Sequence, residues 1–377
     1  MKKMYKSLCL LTALVLLAAC NKDAEPNGAA VGGKTNFAVS LPGAPDTYAV
    51  EDLQDAGAIV PLYEDVTVYL MDAGENFMGY AWTDAEIKAR EKRFEQITEP
   101  AAVAVIVNSG SVTMPTGALS KYEFQDVIHA IAAADQNKAA KTLAAEDSKG
   151  NAAGTYGPIR QVTLYGAETV FTTETSTDGH TLKKAAVELS SLVARLELGT
   201  VKAGAGLESL TVEAVYVNNF YLNAFFEASV QSFTEGTWPS TFTPAWATDD
   251  YNAAVTSETG TKAYAYQIFA FGSTLMPHVI YKVSGTVKAG YKLADGTGDW
   301  DVATPFTDKY ITVKGFRENG ALVGWLENNK IYKMGLEDGG IEITPDKITD
   351  KPEKSKIDLI VGITIANWAS SNVTPEF

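Results

Sequence analysis

The chain has 377 residues, 46% hydrophobic, 20% charged and 10% aromatic, enough for one large globular domain or two medium ones and too apolar for disorder. It carries 31 Lys+Arg against 46 Asp+Glu, a formal net charge of −15, and so negative a surface excludes general binding to phosphate backbones. Its two cysteines, Cys9 and Cys20, both precede residue 21, which excludes disulfides, thiolate zinc sites and cysteine nucleophiles from the body of the protein.

In chain order, Lys2, Lys3 and Lys6 come first, followed by an apolar run over residues 8–19. A spanning helix needs about 20 apolar residues, so this run predicts a secretion signal rather than an anchor helix. It closes as Leu17-Ala18-Ala19-Cys20, similar to the bacterial lipoprotein signal, in which small residues fit the peptidase and the cysteine thiol receives a diacylglyceryl group. The expectation is a signal peptide over 1–19, lipidation at Cys20 and a polar tether over 20–34. The other reading is an ordinary signal peptide with a cysteine there by chance.

Beyond the tether the dominant period is two, which predicts strands. Residues 35–41 place Phe37, Val39 and Leu41 on one face, residues 65–71 do the same with Val66, Val68 and Leu70, and 102–107 is a continuous apolar run. Residues 192–198 put Leu192, Ala194, Leu196 and Leu198 inward and Arg195 and Glu197 outward; further strands are expected at 210–217, 263–271, 278–287 and 310–313. Two helices are expected. One is capped by Thr83 or Asp84 and runs through Phe94; the other is capped by Ser120 and carries Tyr122, Val127, Ile128 and Ile131. Many short strands with few helices indicate a mainly β protein of sandwich domains. The polar stretch 172–179 suggests a boundary near 180–188, dividing an N-terminal domain over 35–187 from a C-terminal one over 188–377.

Catalytic patterns are sparse. His129, His180 and His278 form no ligand pair, and no nucleophile elbow, phosphate loop or dinucleotide fingerprint is present. Gly204-Ala205-Gly206 reads as a hairpin turn. Asp295, Asp299 and Asp301 could offer oxygens to Ca²⁺, but their spacing is not that of an EF-hand and a solvated turn is the simpler reading. The basic run 88–93 is interleaved with glutamates and reads as a solvated helix face. The expectation is a protein without catalytic residues, cofactor or metal.

Near the other end, residues 357–365 alternate strictly, with Ile357, Leu359, Val361, Ile363 and Ile365 on one face. At roughly 3.3 Å per residue the strand reaches about 30 Å, long for a terminal strand. Either it closes its own domain, or it leaves to fill a groove on a neighbouring subunit by strand addition.

Here the chain resembles the major fimbrial subunits (fimbrillins) of Bacteroidetes, which build type V pili. The resemblance covers almost the whole sequence. It rests on the Leu-Ala-Ala-Cys-Asn-Lys signal, the strand from Asn36 to Leu41, and Asp65-Val66-Thr67-Val68-Tyr69-Leu70 followed by Val103-Ala104-Val105-Ile106-Val107-Asn108-Ser109-Gly110. It continues through Ser191-Leu192-Val193-Ala194-Arg195-Leu196-Glu197, Asn329-Lys330-Ile331-Tyr332-Lys333-Met334 and the ending from Val361 to Trp368. The family implies two tandem β-sandwich domains (transthyretin-like, Greek-key) with one or two short helices in the first. It also implies export as a lipoprotein and proteolytic removal of the lipidated end with its first strand, here Phe37, Val39 and Leu41. The vacated groove then accepts a C-terminal donor strand within 357–377 of the next subunit. The best-known members are cut after an arginine in the loop following that strand. In this chain residues 42–49 hold no Arg or Lys, and the first arginine is Arg90.

Three apolar residues would leave the groove and five are offered in exchange. At about 1.5–3 kcal/mol per buried side chain this favours the terminal strand by roughly 3–6 kcal/mol. Association costs of about 4–15 kcal/mol oppose it, so wider subunit contacts must contribute. The expected partners are other copies of the chain, other fimbrial subunits, outer-membrane lipid through Cys20 and a host or bacterial surface receptor. The expected location is the outer membrane and then the cell-surface fimbrium. The alternatives are an uncut outer-membrane anchor subunit and a glycan-binding surface lipoprotein using Trp238, Trp246 and Tyr251.

Overall fold

The computed structural model describes residues 34–41, 63–133, 135–137, 162–175, 181–198, 201–224, 276–335 and 341–352, together with strand segments at 151–152, 155–156, 230–231, 248–255, 264–269 and 359–367. The first half contains β1 (Lys34–Ser40), β2 (Val66–Met71), β3 (Phe77–Ala81), β4 (Glu91–Thr98), β5 (Ala102–Val107), β6 (Gly117–Leu119), β7 (Asn151–Ala152), β8 (Thr155–Tyr156), β9 (Leu164–Glu168), β10 (Thr172–Thr175), β11 (Thr181–Ala186) and β12 (Ser190–Ser191). Two helices interrupt them, α1 (Asp84–Ala89) and α2 (Lys121–His129). A sheet in the order β10-β11-β1-β4 faces a second in the order β12-β9-β5-β2-β3-β6. Phe37, Val39, Phe94 and Ala185 from one sheet and Val68, Val105 and Ile106 from the other share a single apolar core. All six residues of β5 are buried, because it pairs with β2 and β9 on its two edges while apolar layers cover both its faces. Phe124 of α2 forms part of that cover, stacking on Phe77 with ring centroids 4.2 Å apart.

Both helices begin with capping boxes, at Thr83 with Glu86 and at Ser120 with Glu123. The first is shorter than its sequence suggests. It stops at Arg90, which adopts a left-handed φ of 51°, and Glu91–Thr98 becomes a strand carrying Phe94. Pairing with β1 and the contact of Phe94 with Tyr80 (4.9 Å between centroids) outweigh the helical propensity of this charged run. Residues 172–175 also depart from expectation. They form β10, hydrogen-bonded to β11, so the polar stretch begins inside the first sandwich.

The second half contains β13 (Val193–Leu198), β14 (Val201–Ala203), β15 (Leu207–Asn218), β16 (Phe220–Tyr221), β17 (Val230–Gln231), β18 (Thr248–Val255), β19 (Tyr264–Phe269), β20 (His278–Val287), β21 (Thr304–Glu318), β22 (Ala321–Leu322), β23 (Lys330–Met334), β24 (Ile341–Ile343) and β25 (Leu359–Asn367). The strand path is β17-β16-β19-β13-β23-β25-β21-β20-β15-β18. Leu196, Tyr266 and Tyr332 from one end of this path and Val215, Tyr281, Ile311 and Phe316 from the other meet in a second core. Gly204–Gly206 is a tight turn, but its flanking strands do not pair, since β14 runs parallel to β24. Arg195 and Glu197 are only 1% and 5% exposed, not solvated. They form a 2.9 Å ion pair that Gln267 extends.

The change from one core to the other falls between Val193 and Ala194. The halves are stitched together as well as connected. Ala133 N–H donates to the Leu222 carbonyl (2.8 Å), Ala224 N–H to the Ile131 carbonyl (2.9 Å) and Ser191 N–H to the Asn329 side-chain oxygen (3.2 Å). Tyr221, Phe269 and Ile331 of the second half pack into the first core.

Candidate functional site

The candidate site is the slot occupied by β1. Phe37, Ala38 and Val39 are fully buried and Leu41 is 4% exposed. β1 lies parallel to β11, with Phe37 opposite Lys183 and Ser40 opposite Ala186, and antiparallel to β4, with Phe37 opposite Phe94 and Ser40 opposite Glu91. An extra residue in β4 bulges the ladder between Thr35 and Phe37. Gln96 takes a left-handed φ of 52° there and donates its N–H to the Asn36 side chain (3.2 Å). The Phe37 ring meets Phe171 edge-on at 5.0 Å. At the far end Leu41 N–H donates to the Arg90 carbonyl (2.9 Å). Removing β1 would therefore leave an apolar groove walled by two unpaired strand edges.

The opposite face of β1 explains why Ala38 is buried although it points away from the core. Lys184 of β11 reaches across β1 to Glu91 of β4 (3.4 Å), and Arg93 binds the same carboxylate (2.6 Å). Burial pushes the Glu91 carboxyl up, but the hydrogen bond and charge of Arg93, joined by Lys184, hold it below its ordinary value of 4.5. Sequence alone gave no sign of this charged strap, because its members lie some ninety residues apart and Arg93 stood in an expected helix. The basic run is not a solvated helix face. Arg90 is 9% exposed with its guanidinium over the Tyr63 ring (4.6 Å), and Lys92 and Arg93 belong to β4.

The terminal strand occupies a mirror position in its own half. β25 is parallel to β21 over Leu359–Gly362 and antiparallel to β23 over Ile363–Asn367. The register sets Leu359, Val361, Ile363 and Ile365 opposite Val313, Phe316, Met334 and Tyr332, all buried core residues. In the single chain this strand closes its own sandwich. Cys20 and Ile357 lie outside the described residues, as do the connection 42–62, His180, Trp238 and Trp246; of Tyr251 only the backbone, in β18, is described.

The acidic loop is braced by its own contacts. Asp295 pairs with Lys309 and accepts the Thr297 N–H (2.8 Å), while Asp299 accepts the Asp301 N–H (2.8 Å). Among the described residues no group of three or more His, Cys, Asp or Glu is arranged to hold a metal ion.

Fold and groove together define a tandem β-sandwich protein whose first strand is an internal member of its sheet. The solved structures similar to it include a candidate cell adhesion protein from Bacteroides eggerthii (16% identity, TM-score 0.49, 91% of this chain and 98% of that one). They also include a fimbrilin from Porphyromonas gingivalis (13% identity, TM-score 0.47, 89% of this chain and 98% of that one). A third is the tip fimbrial protein Mfa3 from Porphyromonas gingivalis (11% identity, TM-score 0.38, 89% of this chain and 100% of that one). No family model matches the sequence, and no curated protein matches it.

Proposed function

We propose that this protein is a structural subunit of a cell-surface fimbrium, exported as a lipoprotein through Cys20 and serving adhesion. In this reading a protease cuts between β1 and β2, within about residues 42–58, and β1 departs. The terminal strand of the next copy then fills its slot. The observation that carries the reading is a contrast in how the two terminal strands are held. Residues Phe37 to Ser40 have ladder partners on both sides, whereas among the described residues each residue of β25 has a partner on one side only. A strand bonded along one edge peels away more readily than one bonded along two. In the groove it would gain the second ladder. In the single chain it is already paired beside buried residues of its own half, so strand exchange gives less net drive than a comparison with a free strand suggests, and wider contacts between copies must add to it.

The test is the N-terminal sequence of polymer sheared from the cell surface. A start within about residues 42–58 is expected, whereas polymer that still begins at Cys20 would make the subunit an uncut anchor. Lipidation is tested separately. Cys20→Ala should abolish radiolabelled palmitate incorporation, and unchanged labelling would refute it.

A further inference from the structure

The apolar face of the terminal segment cannot set its own register in the groove. Its alternation offers Ile357, Leu359, Val361, Ile363 and Ile365, and any consecutive three could replace Phe37, Val39 and Leu41. A slip by two residues keeps every side chain on its face, so the core face specifies little and the outer face must decide. That outer face is charged. Ala38 stands directly opposite Lys184 on β11 and Arg93 on β4, and these two cations share the single carboxylate of Glu91. Glu174 is one strand further out, opposite Leu182. Among the described residues the slot above Ala38 thus holds two cations, which pair with Glu91 while Glu174 adds a weaker charge interaction with Arg93, and Ala38, a methyl side chain, is fully buried beneath them.

Three registers compete for this slot. With Leu359 in the place of Phe37, Ile360 lies beneath the cations, a bulky apolar group under a charged strap. With Val361 in that place, Gly362 lies there and a valine replaces a phenylalanine in the core. With Ile357 in that place, Asp358 takes the position of Ala38, between Lys184 and Arg93, and Ile357, Leu359 and Val361 stand in for Phe37, Val39 and Leu41 at nearly the same total bulk. Asp358 is the only charged residue in 357–365. Resting on the strand-replacement reading above, we infer that Asp358 of one copy docks between Lys184 and Arg93 of the next and fixes the register of the exchanged strand. The strand enters with the direction of β1, which keeps the parallel ladder to β11 and the antiparallel ladder to β4 that those edges already present. The occupant of the groove is therefore a second copy of this chain, selected by opposite charge on a strand edge.

Because the body of the protein has no cysteine, engineered pairs report the register directly. Ser40 lies opposite Ala186, an exposed residue of β11 that takes no part in the strap. Cysteine at Ala186 should form an intermolecular disulfide in the assembled polymer with cysteine at Ile360. A disulfide instead with cysteine at Gly362 or Thr364 would overturn the register and leave strand replacement standing. A polymer that forms with no disulfide at any of the three would overturn both. A charge exchange gives a second readout. Asp358→Lys should abolish SDS-resistant ladders, and Asp358→Lys combined with Arg93→Glu, a largely exposed side chain, should restore them. Full-strength ladders from Asp358→Lys alone would overturn the role of the charge.

Discussion

The two sandwiches hold their terminal strands with the same pair of ladders, one parallel and one antiparallel, yet to different effect. β1 has both neighbours from Phe37 to Ser40 within one sheet. β25 divides its length, using β21 for its first half and β23 for its second, and so joins two sheets end to end. An internal strand is a wall whose loss opens a groove. A strand whose described partners lie on one side at each point is a seam, and its loss parts two sheets that each keep their own pairings, β13–β23 in one and β20–β21 in the other. The two strands thus differ in how their residues are bonded on each side, although both alternate apolar residues along their length.

The largest test of that contrast is deletion of residues 357–377. Polymer ladders should vanish, while the uncut protein keeps a cooperative melt from its N-terminal sandwich. Circular dichroism that shows loss of all cooperative melting would break the comparison, because the seam would then be holding up the whole chain. Val361→Asp comes next. It places a carboxylate opposite buried Phe316 in the single chain, and in an apolar groove after exchange, so it should cost several kcal/mol at each junction. Ladder intensity against monomer melting separates the two costs.

Phe37→Ala probes the wall in the uncut protein. Phe37 is fully buried against Phe171, and its removal should cost about 3–5 kcal/mol in urea unfolding. A cost near zero would mean that β1 does not contribute to the first sandwich as its burial indicates. The smallest effect concerns the strap above it. Glu91 has a depressed folded-state pKa, so its contribution is complete at neutral pH and is lost as the pH falls below about 4.5 and through the folded value. Glu91→Gln should therefore flatten the acid limb of the melting curve slightly and lower stability at pH 7 by the same small amount, since these pairs are partly exposed to solvent. An acid limb identical in the variant would remove the strap from the account.

Much of this molecule is written in its sequence wherever local pattern and burial agree. The alternation of Phe37, Val39 and Leu41, the run from Ala102 to Val107 and the capping boxes at Thr83 and Ser120 lead directly to β1, β5 and the two helix starts, because period and capping act within a few residues. The candidate site was half legible in the same way: its apolar face could be read, its walls could not. Lys184, Glu91 and Arg93 become one group only when β11 and β4 flank β1. The run 91–98 becomes a strand through distant partners, β1 along its edge and Tyr80 against Phe94. Partition of β25 between two sheets, and burial of the Arg195–Glu197 pair on a face that alternation marks as outward, likewise follow from which distant elements cover an edge or a face. Local sequence fixes which side of a strand is apolar; only tertiary pairing decides which edges are satisfied and which charges meet above them, because those partners are brought together by the chain's long-range topology.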